Sequence, residues 1–258
     1  MELEFYDYMP LITQGDCHTL IAGVVGSGKS VLLNGIILHS MTIDGSGLYL
    51  IDPKRVELSM YRSSVHCASY GDTDETIIQT LKFAQAEMHR RFADMQKRGL
   101  RKTDLPPRYV VIDELAMLST KINKELAKVT NPILSDICVL GRASKIFLVA
   151  CTQRPTQDVI TPLIKVNCDC RIALRMTNEY QSRNIIDVGD AHYLPRYGYC
   201  YMAHPDFIGV EKKPVRLYPD SVIEQAVEAS KRKEQARPAP KEQKKQKNKS
   251  LFDKIFGL

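Results

Sequence analysis

Short apolar runs alternate with longer stretches of helical period along most of this chain. Thr19–Ala22, Gly47–Ile51, Tyr109–Ile112 and Ile146–Ala150 are compact apolar runs bounded by polar or turn residues. Such runs predict buried strands, the first of them starting at about Cys17. Between them the period changes. From Asp74 to about Gly99 the apolar positions Ile77, Ile78, Leu81, Phe83, Ala84, Met88, Phe92 and Met95 predict a helix, capped by Thr73 or Asp74 and stopped by Gly99. The arginines on it, with Lys97, read as a solvated face. Lys121–Lys145 repeats the helical pattern through Leu126, Val129, Ile133, Leu134, Ile137 and Leu140. Val65–Tyr70, Arg171–Met176 and Tyr199–Met202 predict further strands, Val215–Tyr218 an edge strand, and Asp220–Lys233 a closing helix. Strands alternating with helices give an α/β fold, a mostly parallel sheet with helices on both faces.

The first strand runs into Gly23-Val24-Val25-Gly26-Ser27-Gly28-Lys29-Ser30, and a second apolar run opens at Val31. Strand, glycine loop and helix N-terminus are the setting of a phosphate-binding P-loop. Glycines let successive backbone N–H groups curl around a phosphate, and the helix N-terminus adds partial positive charge. Lys29 is placed to reach the β- and γ-phosphates of ATP, and the Ser30 hydroxyl to ligate Mg2+. The strand Tyr109–Ile112 ends in Asp113-Glu114. A buried strand delivering two carboxylates at its C-terminal end suits a magnesium-binding Asp113 and a Glu114 that polarises the attacking water. Ile146–Ala150 leads to Cys151-Thr152-Gln153, and Gln153 is either a γ-phosphate sensor or a polar loop residue.

Charge changes the picture only at one end. Residues 231–258 hold ten Lys/Arg against three Asp/Glu, whereas residues 1–230 hold 26 against 27. The body is neutral and the tail carries the excess. Residues 231–249 have no apolar side chain larger than alanine and predict a disordered basic linker. The terminal 250–258 turn apolar again, and Leu251, Phe252, Ile255 and Phe256 share one face of a helix only about two turns long. A peptide of that kind is a docking element for a partner protein, or, beside basic residues, for a membrane surface. No run approaches a membrane span and the acidic start is no signal peptide, so a cytoplasmic location is expected. The seven scattered cysteines suit a reducing compartment, several of them as small hydrophobes inside apolar runs.

Beyond the P-loop, Leu50-Ile-Asp-Pro-Lys-Arg-Val-Glu-Leu-Ser59, Glu87–Phe92, Tyr109–Leu118, Thr152–Thr161, Leu163–Asn167, Arg171–Ala173 and Ser182-Arg183 resemble, in order and spacing, the FtsK/SpoIIIE-type DNA translocases. The likeness covers roughly residues 15–205. It implies a RecA-like motor domain over residues 16–230 behind a lead-in at 1–15, assembled as a homo-hexamer that threads duplex DNA and hydrolyses ATP between subunits. Carried over by position, Lys29 and Ser30 hold phosphates and magnesium, Asp113 and Glu114 form the acidic pair, and Gln153 senses the γ-phosphate. Arg142 stands where the family has an arginine acting on a neighbour's ATP. Glu179 stands where some relatives have a second, basic residue of that kind, a reversal of charge. No membrane span or winged helix accompanies this motor, which suggests an origin in a plasmid, integrative element or phage. Alternatives are a motor for protein export of the type VII secretion kind and a nucleotide switch without turnover.

Overall fold

The computed structural model describes residues 3–235, and the side chains of 233–235 are outside that description. The expected linker from 236 onward and the peptide Leu251–Leu258 lie outside the described residues. Eight strands form one sheet: β1 (Thr19–Ala22), β2 (Gly47–Ile51), β3 (Cys67–Gly71), β4 (Arg108–Ile112), β5 (Ile146–Thr152), β6 (Cys170–Ala173), β7 (Tyr199–Ala203) and β8 (Val210–Pro214). Their spatial order is β3-β2-β4-β5-β1-β6-β7-β8. The pairings from β3 through β6 are parallel, and β7 and β8 add antiparallel at one side.

The helices are α1 (Met9–Gln14), α2 (Lys29–Thr42), α3 (Asp74–Arg98), α4 (Lys124–Ser144), α5 (Pro162–Asn167), α6 (Glu179–Ile186) and α7 (Asp220–Gln235). Because successive side chains of a strand point to opposite faces, each central strand feeds two cores. Leu20, Val110 and Leu148 pack with Leu81 and Met88 of α3 and Leu134 and Ile137 of α4. Ile21, Val111 and Val149 pack with Leu33 and Ile37 of α2, Met9 and Ile12 of α1 and Ile223 of α7. The segment expected as a lead-in is thus part of the second core. All seven cysteines are free, and six are buried among these apolar side chains; Cys67 is partly exposed.

Three further expectations are corrected. Val215–Tyr218 is not a strand: the edge strand is β8, just before it. There Lys212 and Lys213 lie over the rings of Tyr199 and Phe207, which hides the apolar signal behind polar residues. The closing helix continues to Gln235, so the first five residues of the expected linker are helical. Arg91 is not on a solvated face. It is fully buried, where Nε donates to Glu87 Oε1 at 2.8 Å and Nη1 to the Ser144 carbonyl at 2.8 Å, tying α3 to the end of α4. Thr73, rather than Asp74, caps α3 through a reciprocal pair of bonds with Thr76, and Gly99 closes it at φ +65°.

Removing Glu87 leaves the Arg91 charge in the core with its carboxylate gone. Glu87→Ala is therefore expected to cost about 3 kcal/mol of stability. Urea titration checks this; a loss below about 1 kcal/mol would show that the guanidinium reaches water.

Candidate functional site

Parallel pairing brings four strand ends to one edge. Ala22 is in register with Thr152 and Ala173, Ala150 with Ile112, and Ile112 with Ile51. The loops leaving β1, β2, β4 and β5 therefore start side by side. They carry Gly23–Ser30, Asp52–Lys54, Asp113-Glu114 and Gln153. Gln153 does stand at the end of the strand next to β1, as expected, and its backbone N–H donates to Glu114 Oε1 at 3.1 Å.

The glycine loop needs its glycines. Gly26 and Gly28 have φ of +71° and +96°, backbone that side-chain-bearing residues rarely adopt. Gly28 is the N-cap of α2, whose first residues are Lys29 and Ser30. Ser27 Oγ is buried inside the loop without a hydrogen-bond partner among the described residues. Lys29 Nζ spans the loop, donating to the carbonyls of Gly23 at 2.8 Å and Val24 at 3.2 Å. Burial lowers its pKa, against the nearby Glu114 and Asp113, which raise it.

Glu114 is nearly buried and holds four donors. Oε2 accepts from Lys54 Nζ at 2.9 Å, and Oε1 from Thr152 Oγ1 at 2.9 Å, Gln153 N at 3.1 Å and Ala116 N at 3.4 Å. Asp52-Pro-Lys54 carries family resemblance in the sequence but no role there. The structure gives it one. Asp52, fully buried, accepts from the N–H groups of Val56 and Leu58 and from the Tyr70 hydroxyl. That folds the loop so that Lys54 meets Glu114 across 60 residues of sequence. An apolar run ending in Asp-Pro-Lys was the available signal; its partner was not readable.

Asp113 Oδ2 is buried and unpartnered among the described residues. Burial pushes the Asp113 pKa up to about 6, with Glu57, Asp52 and Glu114 adding to the rise and Lys54 opposing it. An orphaned carboxylate oxygen that resists ionisation fits a cation ligand, and the Ser30 hydroxyl at the start of α2 supplies a second oxygen. The residues present thus suit magnesium.

Arg142 is not brought to this edge. It lies in the last turn of α4, before β5 begins, so the length of β5, roughly 20 Å, separates it from the P-loop. Its guanidinium is half exposed and pairs with Asp169 at 2.5 Å. Glu179, at the start of α6, accepts from the Tyr193 hydroxyl at 2.6 Å.

A parallel sheet with a glycine loop after one strand and a buried acidic pair after another defines a P-loop nucleotide-binding domain. Residues 5–190 match the model of the FtsK/SpoIIIE family, and the chain belongs to that family. It is similar to the DNA translocase FtsK of Treponema pallidum (strain Nichols), with 37% identity over 72% of this chain and 25% of the relative. Its likeness to the DNA translocase SftA of Bacillus subtilis (strain 168) is 35% identity over 82% and 23%. The chain thus spans about a quarter of the length of these relatives. Among solved structures, the pCW3 conjugation coupling protein TcpA, determined with ATPγS, shares the fold at a TM-score of 0.73 and 24% identity, covering 83% of this chain and 65% of that one. EssC (ATPases 2 and 3) from Geobacillus thermodenitrificans does so at 0.73 and 18%, covering 87% and 46%. Among the described residues no helix is long and apolar enough to cross a membrane.

The raised Asp113 pKa has a measurable sign. Above about pH 6 this carboxyl is ionised in the folded chain at a cost absent from the unfolded chain, where it titrates near 4. The group therefore lowers stability at neutral pH, and the penalty fades as pH falls from about 6 toward 4. Asp113→Asn should raise the unfolding free energy of the magnesium- and nucleotide-free protein by on the order of 2 kcal/mol at pH 7.5. Denaturant titrations across pH 4–8 check this: the gain should shrink toward zero at pH 4, and a pH-independent gain would contradict the assignment.

Proposed function

We propose that the chain is an ATP-hydrolysing motor domain that moves duplex DNA. The observation that carries this is the 33–37% identity with DNA translocases over about 70–80% of the chain. The type VII secretion ATPase EccC of Thermomonospora curvata, at 22%, shares the fold alone, so the DNA reading is preferred to protein export. The full set of acidic and polar residues around the loop favours turnover over a static switch.

In this reading the amides of Val25, Gly26 and Gly28, those of the loop not already donating to backbone carbonyls, and the Lys29 ammonium bind the phosphates of ATP. Ser30 and Asp113 would hold magnesium, which when bound would offset the charge of the phosphates. Glu114 is the base. Its Oε1 is occupied by three donors and Oε2 by Lys54 alone, so Oε2 has acceptor capacity left to take the proton of the attacking water. Gln153, tied to the same carboxylate through its N–H, is the group that registers the terminal phosphate. Arg142 acts on the ATP of a neighbouring subunit in a homo-hexamer, since its own P-loop is a strand's length away. An arginine so placed is typically worth about 10³–10⁵ in rate.

The test is ATPase activity with and without duplex DNA. Stimulation by DNA is expected, and none by duplex or single-stranded DNA would count heavily against the motor. Lys29→Ala should lose nucleotide binding, whereas Glu114→Gln should bind ATP and scarcely hydrolyse it. Arg142→Ala should bind ATP and fail to turn it over alone, yet regain activity when mixed with Glu114→Gln. If mixtures assemble and stay inactive, Arg142 does not act between subunits.

A further inference from the structure

Two arginines that the reaction above does not use meet at the glycine loop. Arg175 follows β6, and its carbonyl accepts the N–H of Val24 at 3.0 Å. Its guanidinium Nη1 donates to the carbonyl of Leu194 at 3.1 Å. One residue thus ties the P-loop to the turn 194–198 that leads into β7. The other end of that turn is held as well: Gly198 sits at φ +88° and its carbonyl accepts from Val215 N at 2.9 Å. Between these anchors the turn carries Arg196 over the middle of the P-loop. A β-carbon on Gly26 would lie 2.9 Å from Arg196 Nη2 and 3.6 and 3.7 Å from Nε and Cζ, so the guanidinium rests against the bare Cα of that glycine.

Arg196 is exposed, a cation set beside other positive charge. Here α2 presents its N-terminal partial positive charge, and Lys29 stands three residues away in sequence. Among the described residues no carboxylate pairs with Arg196; its ring contact is with Tyr197, 5.2 Å from the centroid. A fixed turn holding a planar, permanently charged fork against a phosphate cradle suits bidentate recognition of phosphate oxygens. We propose that Arg196 is a further nucleotide-binding residue, contacting the phosphates of ATP bound in its own chain and distinct from Arg142, which serves a neighbour. This rests on the P-loop being a nucleotide site. Position 196 follows no strand end and sits in a turn of Pro, Tyr and Gly, so no local pattern marks it.

The test compares binding of a fluorescent ATP analogue by the full chain and by Lys29→Ala, Arg196→Met and Arg196→Lys. Arg196→Met keeps length and loses charge, and should weaken binding on the order of tenfold to a hundredfold, as expected for a charge-assisted hydrogen bond. Arg196→Lys should recover part of that loss, which a merely structural role for the turn would not produce. If the unaltered chain fails to bind, the nucleotide reading itself fails. If it binds, Lys29→Ala does not, and Arg196→Met matches the unaltered chain, then the reading stands and Arg196 has no part in it. Mixing separates same-chain from neighbour action. Mixed with Glu114→Gln at an ATP concentration too low to fill the weakened site, Arg196→Met should be no more active than it is alone, because both defects fall in the chain that holds the nucleotide. Recovered activity in that mixture would overturn the same-chain assignment.

Discussion

The parallel pairing of β1 with β5 and β6, and of β5 with β4, is the constraint on which everything else depends. Parallel strands all end at the same edge, so a loop from one strand meets loops from its neighbours however far apart they lie in sequence. Ala22, Ile51, Ile112 and Thr152 are brought together by register alone. The two apolar cores hold that register, since a one-residue slip would turn Leu20 and Ile21 into each other's core.

Given that edge, the chemistry concentrates on one carboxylate. Glu114 is the meeting point of the β2, β4 and β5 loops, accepting from Lys54, Thr152 and Gln153. Asp113, one residue earlier, is left with an unpaired buried oxygen and a raised pKa. Neighbouring acids on one strand end thus have opposite environments, one satisfied by donors and the other poised for a cation. Stability is sacrificed at Asp113.

How much of this was legible follows from range. The glycine loop, the acidic pair and Gln153 follow apolar runs directly, so local pattern located both strand and loop. The central helices were legible because their apolar faces repeat every three to four residues over five or more turns. Short elements were not: α5 and α6 are too brief to show a period, and β8 hides its apolar contacts beneath lysine stems. Single long-range contacts leave no pattern at all. Lys54 reaches Glu114, Arg91 reaches Ser144 and Arg196 reaches Gly26 through the fold alone, and no local pattern around any of them names the partner.

The buried thiols have a practical consequence. Cys151 sits at the end of β5, one residue before Thr152, fully buried, with burial pushing its thiol pKa well up. Cys138 and Cys170 lie equally deep, one in the core beneath α3 and α4 and the other beneath α2. Since the thiolate is the reactive species, none of these can meet a reagent until the strands or helices over it part. The unaltered chain therefore carries its own clock for local opening, one sulfur on each face of the sheet and one at the loop edge. The rate at which each becomes alkylated reads the cooperativity of that region directly, without a single introduced label.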